Sequence, residues 1–156
     1  MRENLWRVLK FDRDGNLLLS IDRDENGDNR FGSLSGIAVD GAGNLYVCDV
    51  GTNQILKFDS QGRLLLAWGG SGSGPGRFNE PSSIAVDGDG TVFVTDAFNF
   101  RVQRFTSDGQ YLGEWSGTTE ENDTLDRPFS VAVGSDGAVY IVDIGNALHR
   151  FRLVTP

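Results

Sequence analysis

Short apolar runs separated by glycine-containing polar stretches fill this chain, and they recur in fixed register. Ile37, Ile84 and Val131 are spaced by 47 residues, and the same step relates Ala38, Ala85 and Ala132, then Gly43, Gly90 and Gly137. Phe11, Phe58 and Phe105 keep it too, as do Gly15, Gly62 and Gly109; only Phe151 falls short, by one residue. Within a period the runs read as strands. "IAVD" is short and apolar, "NLYVCD" and "TVFVTD" are rich in β-branched and aromatic residues, "QILKF" and "RVQRF" alternate, and "RLLLAW" and "QYLGEW" close the unit. Between them lie "DGAG", "DGDG" and "GSDG", then "DRDG", "DSQG" and "TSDG". Gly supplies the positive φ of tight turns, and Asp accepts local backbone hydrogen bonds.

Each period therefore predicts four antiparallel strands, a to d. A repeat of 40 to 50 residues with four strands is the mark of an all-β fold, the β-propeller, built from four-stranded antiparallel blades. The composition agrees: 21 of 156 residues are Gly, only four are Pro, and 38% are hydrophobic.

The copies are unequal. Residues 5–21 match strands c and d of a partial blade, 31–69 and 78–116 are full blades, and 125–153 supply strands a, b and c of a last blade. The 1–156 arc thus amounts to about three blades, a partial ring. Two readings stay open. Two chains close a ring by self-association, or the chain is a fragment of a longer propeller whose missing blades complete it.

The order of motifs, "IAVD", a Gly turn, "YV-D", a loop with Asn, "RVQRF", "SDG" and a closing Trp, resembles the NHL repeat over nearly the whole chain. That resemblance implies a presumed six-bladed ring. Gly134 stands where the other copies have Asp, and Phe98 and Phe100 replace small or polar loop residues.

Net charge is −8 and the sequence pI about 4.5, which disfavours a phosphate backbone, so no nucleic acid is expected as partner. No segment is long and apolar enough for a bilayer, and no export signal is expected; localisation stays unknown. Cys48 is the lone cysteine, so no internal disulfide forms, and its apolar surroundings suggest an inert buried thiol.

Candidate chemistry is sparse. Asp49, Asp96 and Asp143 follow strand b in every blade, and this equal spacing reads as a structural role, accepting backbone amides at the b–c turn. "DRDENGD" places Asp22, Asp24, Asn26 and Asp28 as in the opening of a calcium loop, but Ser33 stands where the closing bidentate Glu belongs. Calcium is thus a weakly supported ligand, and no other cofactor is expected. Asymmetry says more. Alternating strand direction puts the d–a and b–c connections on one ring face. There Phe98 and Phe100 replace Gly51 and Asn53, beside acidic loops that include Glu120 and Glu121, whereas "GGSGSGPG" reads as uncharged and flexible. These four residues are the partner-binding candidates.

The function expected is a non-catalytic propeller scaffold presenting loops to a protein or peptide, with no membrane contact. The alternative is part of a six-bladed hydrolase- or lyase-type enzyme with a central divalent metal. A zinc lyase site needs several histidines, however, and His149 stands alone. The inner strands read "IAVD", "IAVD" and "VAVG", not the Glu, Asn and Asp set of a lactonase-like calcium site. RNA binding, known for some NHL proteins, needs a basic face and is disfavoured by the acidic charge.

Overall fold

The computed structural model describes residues 6–22, 31–116, 125–145 and 148–152. Its strands form four antiparallel sheets in chain order. The first pairs β1 (Val8–Phe11) with β2 (Leu17–Ile21). The second holds β3 (Leu34–Val39), β4 (Leu45–Asp49), β5 (Gln54–Phe58) and β6 (Leu64–Gly69). The third repeats that order with β7 (Pro81–Val86), β8 (Val92–Asp96), β9 (Arg101–Phe105) and β10 (Tyr111–Ser116). The fourth has β11 (Pro128–Val133), β12 (Ala138–Asp143) and β13 (Leu148–Arg152). A short 3-10 turn, Ala97–Asn99, lies between β8 and β9. This is a β-propeller arc of four-stranded blades, a partial ring. Among the described residues, no helix is long and apolar enough to cross a membrane.

The hairpins follow directly from their Asp residues. The carboxylate of Asp12 accepts N–H bonds from Asp14 and Asn16, that of Asp40 from Ala42 and Asn44, that of Asp59 from Gln61 and Arg63, and that of Asp87 from Asp89 and Thr91. Each closes an Asx turn, so these acidic stretches are turn chemistry. Hydrogen bonds from Asn16 hold the Asp12 carboxyl below the usual range, and bonds from the Arg63 amide and guanidinium do the same for Asp59. At Asp40, burial pushes the pKa up, but bonds from Asn44, Tyr46 and Ala42 outweigh it and lower it.

Sheets pack face to face, and the same contacts recur at the 47-residue step. Ser35 Oγ donates to the Pro81 carbonyl at 2.7 Å, and Ser82 Oγ to that of Pro128 at 3.2 Å. Lys10 Nζ likewise reaches the Ser60 carbonyl, and Lys57 Nζ that of Ser107. Between the second and third sheets lies a core of Tyr46, Cys48, Ile55, Phe78, Ile84, Val94 and Phe105. Phe93, Val102, Val131, Val139 and Ile141 fill the next interface. Burying one such aliphatic side chain contributes about 2 kcal/mol. Cys48 lies wholly within the first of these cores, where burial pushes its thiol pKa up.

Equivalent positions do not share equal surroundings. Ile84 and Val131 are buried, 4% and 7% exposed, whereas Ile37 is 56% exposed and Val39 61%. The reason is positional: the first sheet has only strands c and d among the described residues, so nothing stands before β3 as β3 stands before β7. Ile37 and Val39 instead line an open apolar cleft with Val8, Leu19 and Ile21.

Candidate functional site

One ring face carries the b–c turns and the d–a connections, and here the carboxylates at the ends of strands b do their work. Asp49 accepts the Gly32 N–H at 2.9 Å, Asp96 the Asn79 N–H at 2.7 Å, and Asp143 the Asp126 N–H at 2.9 Å. All three carboxylates belong to residues at most 2% exposed. Their shared donor is the residue leading into strand a, so each Asp ties the entry of its own blade to the b–c turn. Asp49 also receives the Ser33 and Gly51 amides. The turn supplies fewer of these donors than the sequence suggests.

At Asp96 the arrangement is richer. Its Oδ2 accepts Nε of Arg101 at 2.8 Å, Nδ2 of Asn99 at 2.9 Å and Nε2 of Gln103 at 3.0 Å. Arg101 also pairs with Glu114 at 2.8 Å and donates to the carbonyls of Gly74 and Arg77. Gln103 Oε1 accepts the Gly76 N–H, and Asn99 reaches the Gly72 carbonyl. This corrects the expectation that "GGSGSGPG" is flexible. Buried Arg101 and Gln103 of β9 hold Gly74, Gly76 and Arg77 by their backbone groups. β5 carries Gln54 and Leu56 at the matching places, so it builds no such network.

The blade boundary itself also differs from one repeat to the next. Asn53, in the left-handed region at φ 54°, accepts the Glu80 N–H on its Oδ1 at 2.8 Å and donates to Ser71 Oγ. One step along, Phe100 occupies the same backbone state, φ 55°, and Arg127 takes the place of Glu80, φ 46°. A phenyl ring offers no acceptor for that latch. The Arg127 guanidinium instead lies over the Phe98 ring, 4.1 Å from its centroid. This contact binds the fourth sheet's entry to the third sheet's turn.

The two phenylalanines therefore separate. Phe98 is a blade contact, covered on one face by Arg127 and 37% exposed. Phe100 is 47% exposed, makes no ring–ring contact among the described residues, and holds a bulky side chain in a strained backbone region. Ile144, half exposed in the next b–c turn, is tied by its N–H to the Asp126 carbonyl beside them. Of the other candidates, Glu120, Glu121, Asp24, Asn26 and Asp28 lie outside the described residues; Asp22 follows β2 and is half-buried. Among the described residues no three His, Cys, Asp or Glu side chains converge as metal ligands. Sequence reasoning named Asn53 only as the residue Phe100 replaces and missed Arg127, although the step pairing Glu80 with Arg127 was there to read.

Repeated four-stranded sheets with this face of turns define a β-propeller. A family model described as a 6-bladed beta-propeller matches residues 24–126, and the chain belongs to that family. Among solved structures, it is similar to a catalytically inactive virginiamycin B lyase from Staphylococcus aureus with quinupristin, at 17% identity and TM-score 0.64. That match covers 96% of this chain and 50% of the other. A streptogramin B lyase structure matches at 17% identity and TM-score 0.63, covering 96% and 49%. A protein of unknown function from Bacteroides caccae matches at 19% and 0.56, covering 90% and 52%. The chain spans about half the length of these structures, and at such identities the likeness is one of fold. No curated protein matches it in sequence.

Proposed function

We propose that this chain is part of an NHL-type propeller acting as a non-catalytic scaffold, which presents the b–c and d–a loops of one face to a protein or peptide. The observation that carries this is Phe100. A strained, half-exposed aromatic stands where the preceding blade has a hydrogen-bonding Asn, and it makes no ring–ring contact among the described residues. Such a residue serves something outside the chain. Phe98 and Ile144 are further exposed apolar residues of the b–c turns, and Glu120 and Glu121 lie in sequence between β10 and β11. Affinity capture with the intact chain and with Phe98→Ser plus Phe100→Ser tests it. The double variant is expected to lose the captured protein; equal recovery by both sinks the reading.

A second reading, self-association that completes the ring, is favoured by the exposure of Ile37 and Val39 where Ile84 is buried. Sedimentation equilibrium is expected to give twice the 17.0 kDa chain mass, reverting to 17.0 kDa with Ile37→Asp. A wild-type chain at the single mass refutes it.

A further inference from the structure

We infer that the Phe100 ring is a docking point for a cationic side chain, Arg or Lys, carried by a basic segment of the partner. This rests on the scaffold reading and names the chemistry of what binds there.

The turn already shows what its rings accept. Two residues before Phe100, the Phe98 ring holds a guanidinium at 4.1 Å, so an aromatic ring in this turn can accept a cation on its face. Phe98 is occupied from within the chain. Phe100 presents the same chemistry with nearly half its surface free and no ring partner among the described residues.

The charges around it point the same way. Glu80 lies beside the turn, since the Ala97 N–H bonds its carbonyl at 3.4 Å, and Asp126 immediately precedes Arg127, whose guanidinium lies over Phe98. Both residues are exposed, and neither carboxylate has an ion-pair partner among the described residues. The nearby cations are committed. Arg127 lies on Phe98, Arg101 is buried against Asp96 and Glu114, and Arg77 donates to the Gly69 carbonyl. A chain of net charge −8 attracts a basic segment from a distance, and an exposed aromatic ring in a turn neighboured by Glu80 and Asp126 gives its guanidinium a place to stop.

The probe is a short fluorescein-labelled peptide alternating Arg with Leu, beside a counterpart carrying Glu for Arg, titrated with the intact chain and followed by anisotropy. The Arg peptide is expected to bind with an affinity that falls as salt rises. It should bind about five- to thirty-fold more weakly to Phe100→Ser and recover with Phe100→Trp. Melting curves on the same samples establish that the variants are folded. Equal binding to wild type and Phe100→Ser means diffuse charge attraction and overturns the inference, as does no binding at all. Phe100-dependent binding of the Glu peptide rejects the cationic partner while leaving the scaffold reading standing.

Discussion

Asn53 Oδ1 accepts the Glu80 backbone N–H at 2.8 Å, across the boundary between the second and third sheets. The equivalent pair one repeat later, Phe100 and Arg127, cannot form that bond, and an Arg127–Phe98 stack stands in its place. A repeat protein gains stability from such boundary contacts, because no blade buries its faces alone. Asn53→Gly keeps the left-handed backbone but deletes the amide. It is expected to lower unfolding free energy by about 1–2 kcal/mol. An unchanged urea midpoint would show that the latch contributes nothing.

Phe100 should behave in the opposite sense. If the ring serves a partner and not the fold, Phe100→Gly relieves backbone strain and raises stability by about 1 kcal/mol. Thermal melting reads this, and a clear destabilisation would place Phe100 among the folding contacts instead.

The three strand-b carboxylates occupy matching positions but should differ in consequence. Asp96→Ala removes the buried one of the two carboxylates that pair with Arg101, 5% exposed, leaving it only the partly exposed Glu114, and is expected to cost about 3–5 kcal/mol. Asp49→Ala strands backbone amides only and should cost about 1–3 kcal/mol. Chemical denaturation of the pair checks the order; equal losses would mean the Arg101 network adds nothing beyond the shared tie.

Gly62 and Gly109 are required twice over. Both have positive φ, and a Cβ on Gly109 would lie 3.0 Å from the Trp68 ring of the preceding sheet, whereas one on Gly15, φ 85°, meets nothing within 4 Å. Gly15→Ala is expected to cost about 1 kcal/mol from backbone conformation alone. Gly109→Ala should cost clearly more and shift Trp fluorescence; equal costs would remove Trp68 from the account.

Stability should hold across a plateau of pH and fall at both ends. Asp12, Asp40 and Asp59 have folded pKa values below the ordinary 3.8, so their contribution is present above that value and is lost as pH falls beneath it. Cys48 and Tyr46 have folded values raised above 9.0 and 10.0, chiefly by burial. Their contribution is complete below those values and declines as pH rises past 9, when the unfolded chain ionises first. Melting temperature against pH tests both limbs. A decline beginning near neutrality would point to other groups.

Much of the fold was readable because it is local. The Asp–Gly turns at Asp12, Asp40, Asp59 and Asp87 are made by residues four apart or fewer, and the alternation in "RVQRF" sets which side chains face a neighbouring sheet. The site was less readable. Phe98 and Phe100 look alike on paper, but their difference depends on Arg127, which lies more than two dozen residues away. The "GGSGSGPG" loop has the composition of a flexible linker; Arg101 and Gln103, reaching it from a later strand, supply the bonds its own side chains lack.

Period, strand number and turn chemistry are written in the order of residues, since each depends on neighbours along the backbone. Exposure of Ile37 against burial of Ile84, the freedom of Phe100 against the engagement of Phe98, and the holding of Gly74, Gly76 and Arg77 came from the packing of one sheet on the next. Those contacts join positions separated by much of a repeat or more. No local pattern encodes them, because their energy exists only when the sheets meet.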